Sequence, residues 1–359
     1  MLKTSPAVFA VGNNYQIMVP VTKPSLFWVE IDGKRYCDEQ NGIMRSICTI
    51  HRVTVPQQVL DKAGKYTVCE REIIDRKPYF PETEETVRTE FDFYPVPYDN
   101  PRVYHIADTH NMVNEPVKAA ETFGNIDLLI LNGDIPDHSG AIENYDVIYE
   151  IIERITHGEK PTVFSRGNHD LRGYFAESMA EYTPNDKGNT YYSFKVGSIW
   201  GIVLDCGEDK DDSHAEYGFT VSCHDFRKRQ IEFIKDIIAS KEFEKEGITC
   251  KMVISHNPFT LLLKSPFDIE KEIYSEWASL LKDGVKPDIM LAGHLHDYFI
   301  SEIGSEYDHL GQPCTLIVGS DKKKDFHLGC GLIIGKDSLE TVFCDSNGNV
   351  SEKSVIKFN

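Results

Sequence analysis

The sequence predicts an α/β protein: two facing mixed β-sheets flanked by helices, a four-layer αββα sandwich, with an all-β domain before it. Three observations carry this. Residues 1–97 hold only short runs of alternating polarity, spaced as strands. From Pro101 onward, short apolar runs alternate with amphipathic helical patterns, which predicts parallel pairing and βαβ crossovers. After residue 298 the apolar runs follow one another without helices, so the sheets must be mixed.

Taken in order, Tyr15–Val21 and Ser25–Ile31 read as strands, and Asp32-Gly33 turns the second into Lys34–Cys37. His51–Val55 alternates, as does Lys65–Glu70 after the break at Ala63-Gly64, and again Thr86–Tyr94. Strands at this spacing suggest a β-sandwich of the immunoglobulin or fibronectin type. Pro95, Pro97 and Pro101, with Asp99-Asn100 between them, make a stiff polar connector. The expected domains are therefore 1–97 and 98–359.

In the second domain, Val103–Ala107 is a buried-strand run ending in Asp108, and residues 114–123 suit a helix. Asp127–Leu131 is a second strand, ending in Asn132-Gly133-Asp134. Residues 141–157 place Ile142, Tyr145, Ile148, Ile152 and Ile155 near helical spacing. Thr162–Phe164 precedes Ser165-Arg166-Gly167-Asn168-His169-Asp170. Two antiparallel runs, 190–195 and 198–205, come next, then a helix over 224–240. Cys250–Ser255 ends at His256, residues 269–283 read as a helix, and Asp288–Ala292 runs into Gly293-His294-Leu295-His296. Strand runs at 298–303, 314–319, 329–334 and 339–344 close the chain.

Composition narrows the partners. The chain of 359 residues carries 57 acids against 38 bases, a formal net charge of -19. Such a surface disfavours long nucleic acid and anionic membrane. No run of 18 apolar residues exists, and the first residues are too poorly organised for a secretory leader, so a cytoplasmic location is expected. The nine cysteines form no CxxC pair. They read as small buried hydrophobes, not as a disulfide frame or a thiolate metal site.

The chemistry lies at the strand ends. Asp108, His110, Asp134, Asn168, His256, His294 and His296 all follow apolar runs, and open α/β sheets bind ligands at that edge. Singly, each has an ordinary role: an aspartate can cap a helix, a histidine can hydrogen-bond in a loop. Their recurrence at successive strand ends is hard to obtain by chance. All are nitrogen or oxygen donors, which suits Mn²⁺, Fe²⁺, Zn²⁺ or a mixed pair. Seven ligands exceed one tetrahedral site but supply two metals if a carboxylate bridges.

These blocks resemble the calcineurin-like metallophosphoesterase superfamily. Asp108-Thr109-His110, Gly133-Asp134, Gly167-Asn168-His169-Asp170, His256 and Gly293-His294-Leu295-His296 occur in the superfamily's order. The resemblance implies that Asp108, His110 and His296 hold one metal, that Asn168, His256 and His294 hold the other, and that Asp134 bridges them. It implies that His169 stands over the leaving oxygen, with Asp170 holding its far nitrogen. The β domain followed by this core also resembles purple acid phosphatases and their bacterial relatives. That type has a tyrosine where this chain has Asp137 and lacks the histidine ligand found here at His110. Two divalent ions are therefore expected, without an Fe(III)–tyrosinate colour.

The activity this implies is hydrolysis of a phosphoester, a small phosphomonoester first, by a metal-activated hydroxide. Arg166, Arg172 and His138 are expected at the substrate. The alternatives are a phosphodiesterase acting on cyclic nucleotides or other small diesters, and a non-catalytic scaffold with a degenerate core. The β domain is expected to shape the pocket or to join a homo-oligomer.

Overall fold

The computed structural model describes residues 2–358. Strands β1 (Ala7–Val11), β2 (Asn14–Pro20), β3 (Ser25–Ile31), β4 (Lys34–Cys37) and β5 (Ile50–Pro56) lead into helix α1 (Gln57–Ala63). Strands β6 (Lys65–Asp75) and β7 (Val87–Asp92) follow. The next units are β8 (Arg102–Ile106), α2 (Asn114–Phe123), β9 (Leu128–Asn132), α3 (Asp146–Thr156) and β10 (Pro161–Ser165). Then come β11 (Tyr192–Val196), β12 (Ile199–Leu204), α4 (Cys223–Ser240), β13 (Cys250–Ser255), α5 (Lys271–Leu280) and β14 (Ile289–Ala292). Strands β15 (Asp297–Ser301), β16 (Thr315–Lys323), β17 (Phe326–Ile334), β18 (Ser338–Asp345) and β19 (Ser354–Lys357) complete the chain.

The strands form mixed sheets flanked by helices. One sheet runs β17-β8-β9-β10-β1-β2-β5, with β8, β9, β10 and β1 parallel. The other runs β11-β12-β13-β14-β16, with its last four strands parallel. Strand β16 is long enough to serve both: Thr315–Val318 pairs with β14, and Asp321–Lys323 pairs with β17.

Side-chain alternation assigns the layers. Val103, Leu128, Ile130 and Val163 point inward and share one core with Ile254, Leu291 and Ile317 of the facing sheet. Their neighbours Tyr104, Leu129, Leu131 and Phe164 point outward onto Ala120 of α2 and Ile148 and Ile152 of α3. On the opposite side, Trp200, Ile202, Val253 and Met290 meet Ile234 of α4 and Trp277 of α5. Helix, sheet, sheet and helix are thus stacked in that order. Among the described residues no helix is long and apolar enough to cross a membrane.

Apart from the short hairpin that pairs Glu39 with Met44 and Gln40 with Ile43, the strands before residue 97 divide between two sheets. Strands β7-β6-β3-β4 form a separate antiparallel sheet. Strands β1, β2 and β5 instead extend the core sheet, with Val8 paired to Pro161 and Phe9 to Thr162. Phe27, Val29, Tyr66 and Val68 of the small sheet pack in the same core as Val8, Ile17 and Val53. The expected boundary near Pro97 is therefore crossed by backbone hydrogen bonds. Strand β1 does not alternate, because all five of its residues are buried on one face or the other. Helix α1 also falls within the stretch expected to be all-β; it buries only Leu60, which is too little to show a period. Two expected helices are shorter than expected. The first begins as a 3₁₀ turn at Ile142–Tyr145, and the second gives way to a wider turn over Leu281–Val285.

Candidate metal centre

The topology brings the expected ligands together. Asp108 and His110 follow β8, Asp134 follows β9, and Asn168 follows β10, at three adjacent parallel strand ends. His256 follows β13, and His294 and His296 follow β14, at two adjacent ends of the facing sheet. Asp108, His110 and His296 form one cluster of mutually close donor atoms, and Asp134, His256 and His294 form another.

The loops that carry these residues are held in sparse conformations. Asp108, His110, Asp134, His294 and His296 all have left-handed backbones, with φ between 44° and 68°. For residues other than glycine such conformations cost of order 1–3 kcal/mol each and persist only where the surroundings enforce them. Here cross-links enforce them. Asp108 N–H donates to Gly133 O at 3.0 Å, His110 N–H to Asp134 O at 3.0 Å, and Gly293 N–H to His256 O at 2.9 Å. His294 N–H donates to the Asp108 carboxylate at 2.9 Å. The approach is also close. A Cβ on Gly167 would lie 2.2 Å from Asp134 Oδ1, and one on Gly293 2.5 Å from Asp108 Oδ2, so only glycine fits at either place.

Distances at the centre are those of donors sharing a cation. His110 Nε2 and His296 Nε2 face each other at 3.1 Å. His294 Nδ1 lies 3.0 Å from Asn168 Oδ1. His256 Nε2 lies 3.2 Å from Asp134 Oδ2 and 3.6 Å from Asp108 Oδ1, yet it is fully buried and makes no hydrogen bond. Its Nδ1 donates to Asn132 O at 2.7 Å, which turns Nε2 toward the carboxylates.

The electrostatics also call for a cation here. Burial raises the Asp134 carboxyl, but His256, His169 and His110 together outweigh it and hold the group well below the usual carboxylate range. Burial by itself would lower His256, but Asp134 and Asp108 overcome this and raise it to about 10. Burial and then the charge of His256 push His294 down to about 4. Two buried carboxylates thus retain one positive charge between them, at the place where a metal ion would sit. The orphaned Nε2 of His256, the paired imidazoles and the glycine cradles fit a metal-binding centre.

Three expectations around this centre are corrected, for Asp170, Arg166 and His138, and that for Arg172 is refined. Asp170 does not touch His169. Its Oδ2 accepts from Gly167 N–H at 2.7 Å and Asp134 N–H at 3.2 Å, because two backbone donors bend over it in the buried turn. Burial, then the Asp134 charge, raises its carboxyl to about 8. The Arg166 guanidinium is engaged by buried Asp205 at 2.6 Å. His138 is tied into its own loop, where its Nδ1 accepts from Gly140 N–H and the Asn144 amide, each at 3.0 Å. Arg172 does reach the site, but as a fork bound to Glu208 by two bonds of 3.0 Å. Its Nη1 donates to His169 Nε2 at 3.0 Å.

The structure adds three residues. Asp137 Oδ1 lies 3.0 Å from His110 Nδ1 and its backbone oxygen lies 2.9 Å from His169 Nδ1, so Asp137 braces both rings. Glu208 is buried and holds Arg172. The Lys322 ammonium is near enough to lower the pKa of His110 and Asp137, although burial is the largest influence on each. Asp137 had a signal in the sequence as the acid three residues beyond Asp134, and Glu208 as part of the polar loop after the strand run 198–205; Lys322 had none.

A fold of facing mixed sheets, with carboxylates, histidines and an amide gathered at their strand ends, defines a metal-dependent phosphoesterase. The family model described as calcineurin-like phosphoesterase matches residues 101–298, and the chain belongs to that family. No curated protein matches this chain by sequence. Among solved structures, the purple acid phosphatase PPD1 from yellow lupin (Lupinus luteus) seeds aligns with a TM-score of 0.60 and 13% identity, covering 99% of this chain and 75% of that one. Vacuolar Protein Sorting 29 from Cryptosporidium parvum aligns with a TM-score of 0.38 and 11% identity, over 72% of this chain and 99% of that one. The Thermus thermophilus protein TT1561 aligns with a TM-score of 0.38 and 14% identity, over 71% and 98%. The likeness to the lupin enzyme is one of fold.

Proposed function

We propose that the chain hydrolyses a small phosphomonoester with two divalent metal ions, manganese, iron or zinc. Asp108, His110 and His296 would hold one ion, Asn168, His256 and His294 the other, and Asp134 would bridge them. The observation that carries this reading is the convergence of two aspartates and four histidines in two clusters, with two imidazole nitrogens 3.1 Å apart and Asn168 Oδ1 3.0 Å from His294. Bound metals would supply a water of lowered pKa and positive charge against the phosphoryl oxygens.

The protein's own groups set the rest. Asp137 fixes His110 through Nδ1, and Asn132 O fixes His256, so each ring presents Nε2 to the centre. His169 donates from Nδ1 to Asp137 O and accepts at Nε2 from Arg172. Proton donation from His169 to a leaving oxygen therefore requires Nε2 to exchange Arg172 for a proton. Arg172 cannot swing freely, because Glu208 grips its other edge. It can instead turn Nη1 toward an incoming phosphoryl oxygen. Lys322 adds positive charge near His110, which favours a dianionic monoester over a monoanionic diester, while Arg172, its charge already paired with Glu208, offers a directed hydrogen bond. Cavities of roughly 300–1,000 Å³ suit a small organic group. The one lined by Arg172, Tyr174, Glu208 and Tyr217 measures about 630 Å³. The small sheet β7-β6-β3-β4 would brace the extended edge of the core sheet.

The test is a substrate panel on protein reconstituted with Mn²⁺, Fe²⁺ or Zn²⁺. An aryl phosphomonoester should give a higher kcat/KM than an aryl phosphodiester or a cyclic nucleotide. A faster diester would replace the monoester reading, and no turnover of any phosphoester with metals bound would overturn the proposal.

A further inference from the structure

Between β4 and β5 the chain makes an excursion over residues 38–50. It is exposed over most of its length, with Ile43 73% and Ile47 82% exposed, and its short hairpin pairs only Glu39 with Met44 and Gln40 with Ile43. Little apolar burial holds such a segment.

At its base three side chains converge. His51 Nδ1 lies 2.7 Å from Asp38 Oδ2, and Cys48 Sγ lies 3.4 Å from that nitrogen and 3.7 Å from that oxygen. Asp38 and His51 are buried and Cys48 is half-buried. A tetrahedral zinc with one sulfur, one nitrogen and one oxygen ligand spaces those atoms by roughly 3.3–3.6 Å, which the two Cys48 distances approach and to which the Asp38–His51 pair, at 2.7 Å, must widen. The surroundings orient the set. His51 Nε2 lies 3.4 Å from Ser25 Oγ, which leaves Nδ1 to face the other two donors. Its ring is stacked on Phe27 at 5.0 Å and 12°. Arg45 stands 3.8 Å from Asp38 Oδ1, so Oδ2 is the oxygen turned inward.

We propose that Asp38, Cys48 and His51 form a mononuclear zinc site, separate from the strand-end centre, that ties the 38–50 excursion to β5. On binding, Cys48 releases its thiol proton to solvent, the Asp38–His51 hydrogen bond opens, and the His51 ring takes the tautomer protonated at Nε2, where Ser25 Oγ can accept, so that Nδ1 is free. The ion then bonds Sγ, Oδ2 and Nδ1, with water in the fourth position on the half-buried Cys48 side. A thiolate in the set selects zinc over manganese or magnesium. Cysteine spacing alone predicts no such site, because only one ligand is a cysteine.

Cobalt(II) reports on it directly. The strand-end ligands include no cysteine, so a thiolate-to-cobalt charge-transfer band in the near ultraviolet comes from elsewhere, whether or not that centre is catalytic. The full chain titrated with Co²⁺ should develop the band, and it should saturate by three equivalents in all, two of them taken by the strand-end centre. Cys48→Ser should abolish it, Cys37→Ser should retain it, and Asp38→Asn should weaken cobalt affinity. Wild-type protein that takes up cobalt without the band overturns the assignment, independently of how any variant folds. A band that survives in Cys48→Ser also overturns it.

Discussion

The two halves of the strand-end centre are built differently. In the first, Asp134, Asn168 and His256 are at most 2% exposed, and backbone groups fix them: His256 through Asn132 O, and Asp134 through its oxygen's bond to His169 N–H at 2.8 Å. In the second, Asp108 is equally buried, but the His296 side chain is 42% exposed and His110 is braced by the half-exposed carboxylate of Asp137. One half is preorganised by backbone in a low dielectric, and the other by side chains that water can reach. The first should hold its ion tightly, and the second should exchange its ion and admit substrate.

The comparison breaks most completely at the residue common to both halves. Asp134→Asn should lower kcat/KM by roughly 10²–10³-fold or more, the scale of removing a preorganised electrostatic group. It should also cost the protein both metals by elemental analysis. If only one is lost, Asp134 does not bridge.

Next in size are the paired histidine changes. His256→Ala should weaken one metal by more than the roughly 10–100-fold typical of an outer-shell change. His296→Ala should weaken the other by less, because solvent can replace an exposed ligand. Metal titrations of the two variants check this, and equal losses would erase the distinction between the halves.

Asp137→Ala should sharpen it. By releasing the His110 ring it should weaken metal in the open half about 10–100-fold and leave the buried half unchanged. The smallest effect is expected from Arg172→Lys, which keeps the charge but loses the fork on Glu208. It should raise KM for a phosphomonoester more than it lowers kcat, by about tenfold, the value of roughly one charge-assisted hydrogen bond. Steady-state kinetics separates the two parameters.

Much of this centre was legible in the sequence, because Asp108, Asp134, Asn168 and His256 stand where a buried strand ends and nothing apolar is needed. What was not legible depends on contacts distant along the chain. Asp170 looks like a partner of His169, its neighbour, but a tight turn points it at the backbone of Gly167 and Asp134. Arg166 looks free until β12 brings up Asp205. Strand β1 lacked the alternation that marks a half-buried strand, since both of its faces are covered. The open half's dependence on Asp137 likewise rests on a loop approach that spacing does not encode.

The most direct test of the two-half centre is metal release from Cys48→Ser protein purified without chelator, followed by elemental analysis as a chelator is added. This variant leaves only the strand-end ligands to count. The account predicts about two equivalents of manganese, iron or zinc per chain, leaving in two phases, with His296→Ala speeding the fast phase alone. No bound metal, even when these ions are added back, or two equivalents that leave together in one phase, would contradict it.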